Sequence, residues 1–201
     1  MPLASVFIDA RSAGAKLPRH LVTVEQAASK WKGSHEVLLV DDTGDRRLPP
    51  LAHRHQARLL STTSPLLGSR LNAAVAASQG ERLLFPGTLT RDELVWLGES
   101  LSADERGLLC DAAVMRRKRR GRLQRWWSWL TRATTRDTFW VARDWFERIG
   151  GFDPQLDSEA LSDLLERLRA CGANVCYSGN AGAERKALCP PQGGHSRVGR
   201  E

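Results

Sequence analysis

Two adjacent carboxylates, Asp41 and Asp42, end the apolar run Val37-Leu38-Leu39-Val40 and open onto Thr43-Gly44-Asp45. A run of strand length stopped by acids and a glycine turn reads as a strand buried on both faces, as in a parallel sheet. Ligands of open α/β sheets bind in the crevice beyond the carboxyl ends of the strands, where this pair would stand. Asp and Gly are also ordinary turn residues, so the letters alone serve equally well for a strand that ends with no ligand nearby. A second candidate is Arg70, which follows Gly68-Ser69 near the start of an alanine-rich helix. Backbone N–H groups and a guanidinium both favour anions there, although a surface salt bridge would use the same residue. A third is the basic run Arg116, Arg117, Lys118, Arg119 and Arg120. It belongs to a stretch with seven Arg or Lys between 116 and 125, followed by Trp126, Trp127 and Trp129. Cations interleaved with indoles suit a phosphate clamp, an anionic membrane surface or nucleic acid. A solvated loop followed by a packed amphipathic helix accounts for the tryptophans more simply.

The elements that must position these groups alternate. Residues 5–9 form a first short strand, followed by a small-residue loop over 10–15. A helix is expected over 18–31 with proline in its first turn, and then the strand ending at Asp41. Residues 45–50 read as a charged, proline-terminated turn, and 58–61 as a short strand. Helix 67–79, strand 83–85 and helix 91–101 follow, the last opened by the capping box Thr90-Arg91-Asp92-Glu93. Strands are expected over 108–115 and 139–142, helices over 144–149 and 158–170, and a last strand over 173–177. Alternation of this kind specifies a mostly parallel α/β sheet covered by helices, in one domain over 1–178. Residues 179–201 are rich in Gly, Pro, Arg and Ser without periodicity and read as a disordered tail.

Composition narrows the function classes. In 201 residues, 41% are hydrophobic and 26% charged, with a net charge of +7 that favours anionic partners. No apolar run reaches membrane-span length, and the N-terminus lacks a basic region ahead of a long apolar one, which makes a cytoplasmic setting the expectation. Cys110, Cys171, Cys176 and Cys189 form no CxxC pair and read as free thiols in that setting. Cys171, Cys176, Cys189 and His195 match no common zinc module. There is no Walker loop, GxGxxG, HExxH or nucleophile elbow.

Five segments in order carry a resemblance: SVFIDARSAGAKLP (5–18), VLLVDDTGD (37–45), GSRLNAAVAASQGERLLF (68–85), FWVARDWFERIGGFDP (139–154) and LLERLRACG (164–172). Together they resemble the family 2 glycosyltransferases of GT-A fold, most closely the compact bacterial members. The resemblance implies a nucleotide-diphosphate sugar as donor substrate, bound by Arg11, Asp41, Asp42, Arg70 and Asn72. It also implies transfer of the sugar to a hydroxyl acceptor, a lipid-linked one being compatible with peripheral contact at the inner membrane face. Two family patterns are altered. The acidic DxD positions, which in the family hold a divalent metal, fall on Gly87 and Leu89, so no metal ligands are assigned and metal dependence is doubtful. The acidic pair that opens the family's acceptor-side helix falls on Ala160 and Leu161. Asp163 matches the later acid of the pattern, and Glu159 and Asp157, just upstream, could serve as the base only with a one-residue shift of the turn; acids in a first helical turn also serve the helix dipole. The alternatives are a non-catalytic relative that binds a nucleotide or a partner protein and, less favoured, a nucleic-acid-binding protein acting through residues 116–129.

Overall fold

The computed structural model describes residues 4–29, 31, 33–87, 90–104, 110–115 and 138–178. The basic run 116–120, its tryptophans and the expected tail lie outside these. In chain order the elements are β1 (Ala4–Asp9), α1 (Ala10–Ala13), α2 (Leu17–Ala28), β2 (His35–Asp41), α3 (Leu48–Arg54), β3 (Arg58–Ser61) and α4 (Leu67–Ala76). They continue with β4 (Arg82–Phe85), α5 (Arg91–Asp104), β5 (Ala112–Met115), β6 (Thr138–Ala142), α6 (Arg143–Arg148), α7 (Ala160–Ala170) and β7 (Val175–Tyr177).

The strands form one sheet of order β3-β2-β1-β4-β6-β5-β7. All neighbours run parallel except β6, which is antiparallel to both β4 and β5. Side chains alternate across the pleat, so each strand feeds two cores. Phe7, Leu38, Leu83, Phe85, Val114 and Phe139 pack on one face with Leu71 of α4, Phe146 of α6 and Leu164 of α7. Val6, Ile8, Leu39, Leu84 and Trp140 pack on the other with Leu21 of α2, Leu48 of α3 and Leu97 of α5. Burial on both faces explains why β1, β2 and β4 are continuous apolar runs in the sequence.

Three local readings change. The loop expected after β1 winds into α1 and a 3-10 turn over 14–16, because Asp9 accepts the Ser12 N–H at 2.9 Å and caps the first turn. The turn expected over 45–50 ends in α3, whose first turn holds Pro49 and Pro50, the position where proline's missing N–H costs nothing. Cys110 and Cys176, expected as free thiols, form a disulfide. They are 66 residues apart in sequence, yet the parallel pairing of β5 with β7 brings their Cα atoms to 6.0 Å. Cys171 is exposed and free. No helix among the described residues is long and apolar enough to cross a membrane.

Candidate functional site

The chain leaves β1 on one side for β2 and β3, then crosses to β4 on the other. The strand order therefore reverses at β1, and the crevice beyond its carboxyl end is the ligand position of such sheets. Asp9 ends β1 and Asp41 ends β2, with Asp9 in register with Val40. Three carboxylates, Asp9, Asp41 and Asp42, thus reach one rim, and the chain treats each differently.

Asp9 binds a buried arginine. Arg70 of α4 is 1% exposed and donates Nε to Asp9 Oδ1 at 2.9 Å and Nη2 to Oδ2 at 3.0 Å. Its Nη1 donates to the Pro65 and Ser64 carbonyls and reaches Asp42 Oδ2 at 3.4 Å. The fork geometry fits a carboxylate on one edge while the other nitrogen serves the backbone and a second acid. Asp9 also accepts both the Ser12 N–H and its hydroxyl.

Asp42 is gripped from both sides. Arg11 of α1 donates Nε to its Oδ1 at 3.1 Å and pairs Nη2 with Oδ2 at 2.6 Å. Burial pushes the Asp42 carboxyl up, but the Arg11 hydrogen bond and the Arg70 and Arg11 charges outweigh it and hold the group below the usual carboxylate range. The Arg11 guanidinium is raised in turn, chiefly by its hydrogen bond to Asp42, with Asp9 and Asp157 adding to the field. Asp41 has turned inward to build its own turn. It accepts the Thr43 N–H at 2.7 Å, the Thr43 hydroxyl at 2.6 Å and the Gly44 N–H at 3.2 Å.

The opening of α4 is held against the segment before α7. A Cβ on Gly68 would lie 2.1 Å from the Asp153 carbonyl oxygen, so the helix can sit this close only without a side chain there. Gly68 N–H donates to the Leu156 carbonyl at 3.0 Å, and Leu67 N–H donates to Asp157 Oδ1 at 3.2 Å. Asn72, expected at the nucleotide, directs its amide to Phe152 instead. Its Nδ2 donates to the Phe152 carbonyl at 2.8 Å, and its Oδ1 accepts the Phe152 N–H at 2.9 Å. Asp163, expected as a base, pairs with Arg167 at 2.8 Å, and Arg167 also donates to the Ile149 and Gly151 carbonyls. Glu159 is exposed at the start of α7, makes no side-chain cap there, and stands two residues from Asp157.

At the end of β4, Gly87 N–H donates to Thr138 Oγ1 at 2.9 Å, and that hydroxyl donates to Glu93 at 3.0 Å. Glu93 is buried and accepts the Thr90 N–H at 3.2 Å, which is the expected capping box. Gly87 brings no side chain, and Leu89 lies outside the described residues. Among the described residues no group of three or more His, Cys, Asp or Glu could hold a metal ion. The rim acids face guanidinium groups or their own turn.

Asp9 was missed as a site residue, whereas Asp157, weighed as a substitute base, serves the opening of α4 instead. Asp9 carried a usable signal, since it ends an apolar run in the way Asp41 does. The contact of Asp157 with Leu67 carried no signal, because the two are 90 residues apart.

No protein-family model matches the chain, and no curated protein matches it by sequence. Solved structures do. A mannosyltransferase from Pyrobaculum calidifontis, in complex with GDP-Man and Mn2+, superposes with a TM-score of 0.61 at 16% identity over 88% of this chain and 54% of its own. Glucosyl-3-phosphoglycerate synthase from Mycobacterium tuberculosis, in complex with UDP, gives 0.63 at 15% identity over 88% and 69%. TarS from S. aureus gives 0.56 at 15% over 88% and 58%. The chain thus has the fold of the GT-A glycosyltransferases and spans little more than half to about two thirds of their length.

Proposed function

We propose that the chain binds a nucleotide-diphosphate sugar at the β1–β2 rim and transfers the sugar to a hydroxyl acceptor. The observation that carries this reading is the Asp42 carboxylate, whose side chain is 2% exposed at the switch point of the sheet and is paired with Arg11 at 2.6 Å and Arg70 at 3.4 Å. An ionised acid there accepts N–H groups of a nucleobase, and the two guanidinium groups favour phosphate nearby. The fold shared with nucleotide-sugar transferases supports it.

In the transfer, the acceptor oxygen forms a bond to the anomeric carbon as the bond from that carbon to the diphosphate breaks. The hydroxyl proton passes to a base, and the electron pair leaves with the diphosphate. Glu159 is the carboxylate we assign to the proton, since Asp163 is engaged by Arg167. Guanidinium groups, rather than a divalent ion on Gly87 and Leu89, would meet the donor's charge, with residues 116–120 available as further cations or as a contact to anionic lipid beside a lipid-linked acceptor.

A calorimetric titration with UDP, GDP and their sugar conjugates, in EDTA and in Mn2+, tests the reading. Saturable binding of at least one nucleotide in EDTA is the expected result. Binding that requires Mn2+ would put ligating carboxylates outside these residues. Absence of binding in both conditions would remove the nucleotide site.

A further inference from the structure

We propose that Arg11 is an exchangeable cover on Asp42: it moves to the phosphates of an incoming nucleoside diphosphate while a base N–H takes its place on the carboxylate. The proposal rests on the nucleotide reading above and adds to it the residue that selects the charged form of the ligand.

The two cations on Asp42 are unequally held. Arg70 is immobilised by both oxygens of Asp9 and by two backbone carbonyls. Arg11 stands on a four-residue helix and its described hydrogen bonds go to Asp42 alone. Its side chain is 53% exposed while that of Asp42 is 2% exposed. The acid is therefore covered by a group that itself lies in solvent. A guanidinium released from a carboxylate meets a phosphate with the same two-pronged geometry, so the exchange replaces one charge-assisted pair with another.

Asp42 sets the condition for that exchange. Once Arg11 leaves, its remaining cation is Arg70 at 3.4 Å, beyond an ordinary N–H···O distance. A buried carboxylate short of donors is costly. An inorganic diphosphate would uncover Asp42 without satisfying it. A nucleoside would satisfy Asp42 but finds it covered. A ligand carrying both groups does both, so affinity for a nucleoside diphosphate exceeds what its halves predict.

The test is calorimetry on the wild-type chain, Arg11→Ala and Asp42→Asn with uridine, UDP, guanosine, GDP and inorganic pyrophosphate. For Arg11→Ala, diphosphate affinity should fall about tenfold or more, the scale of a lost charge-assisted contact, while nucleoside affinity holds or improves. For Asp42→Asn, pyrophosphate should bind several-fold more tightly, because Arg11 is released in advance. Equal weakening of nucleoside and diphosphate by Arg11→Ala, or no change in their ratio, would overturn the proposal and leave the nucleotide site standing. Unchanged pyrophosphate binding in Asp42→Asn would also overturn it. A wild-type chain that binds none of the nucleosides or nucleotides removes the nucleotide reading itself and this proposal with it.

Discussion

Arg70 and Asp9 form a two-bond ion pair, at 2.9 and 3.0 Å, at the rim that carries Asp42. Two charges taken out of water are tolerable only when each hydrogen-bonding position is met, and here Ser12, Pro65 and Ser64 complete the set. The pair ties β1 to α4 through two residues 61 apart in sequence and fixes the guanidinium that faces Asp42.

Removing both partners should therefore cost less than the two single removals added together. Asp9→Ala leaves a buried guanidinium with Asp42 as its remaining acid, and a loss of about 3–5 kcal/mol is expected from urea unfolding. The double replacement Asp9→Leu with Arg70→Met should lose less than the sum of the single changes. Additive losses would mean that the two side chains are not coupled.

Gly68→Ala should separate α4 from the segment before α7. The new methyl would meet the Asp153 carbonyl at 2.1 Å, backbone that cannot rotate away, so about 1–3 kcal/mol of overpacking is expected. Thermal melting reads this directly. An unchanged melting temperature would mean that the segment yields freely.

The layers of the fold were legible because both faces of the sheet are buried. Strands 5–9, 58–61 and 83–85, and the Thr90–Glu93 capping box, stand where local pattern put them. Elements too short for periodicity were not legible, so α1 and α3 were read as loop and turn. The antiparallel direction of β6 has no local signature either, since it depends on where the chain re-enters the sheet. Within the site, Asp42, Arg11 and Arg70 were named from the residues and the resemblance, and the structure brings them together. The duty of Asn72 was not legible, because its partner Phe152 lies 80 residues on and the bonds run to backbone atoms, whose roles no residue letter records.

Two acid-linked losses of stability should separate on the pH axis. His20 is pushed below its ordinary value of 6.5, first by burial and then by Lys16 and Arg19. The unfolded chain then binds its proton more readily, so stability falls as the pH drops below 6.5. Asp42 is held below its ordinary 3.8, so its contribution is complete above 3.8 and is lost as the pH falls through the lower folded value. In urea midpoints measured against pH, His20→Gln should flatten the first limb and Asp42→Asn the second. A His20→Gln profile parallel to the wild type would refute the first assignment.

The Cys110–Cys176 bridge should be both present and stabilising. It closes a segment of sequence separation 66, for which loop entropy corresponds to about 4 kcal/mol. Peptide mapping without reductant should recover the linked pair. Unfolding of Cys110→Ser with Cys176→Ser should then show a lower midpoint than the oxidised wild type. Wild-type and double-variant midpoints that coincide under oxidising conditions would mean that the bridge carries none of the stability.

Glu159 and Asp163 should separate in a way that tells a chemical carboxylate from a structural one. Asp163 holds Arg167, which in turn holds the carbonyls of Ile149 and Gly151, where two successive glycines turn with φ of +81° and +72°. Asp163→Asn should lower stability by about 1 kcal/mol, as expected for a half-exposed charged pair with backbone bonds behind it. Glu159 is exposed and caps nothing, so Glu159→Gln should leave the unfolding midpoint unchanged within about 0.5 kcal/mol. If Glu159 takes the acceptor proton, the same change should slow sugar transfer about 100-fold or more while leaving nucleotide affinity intact. Transfer at the wild-type rate by Glu159→Gln would move the base away from α7, and a loss of nucleotide affinity in parallel with rate would make Glu159 a binding residue instead.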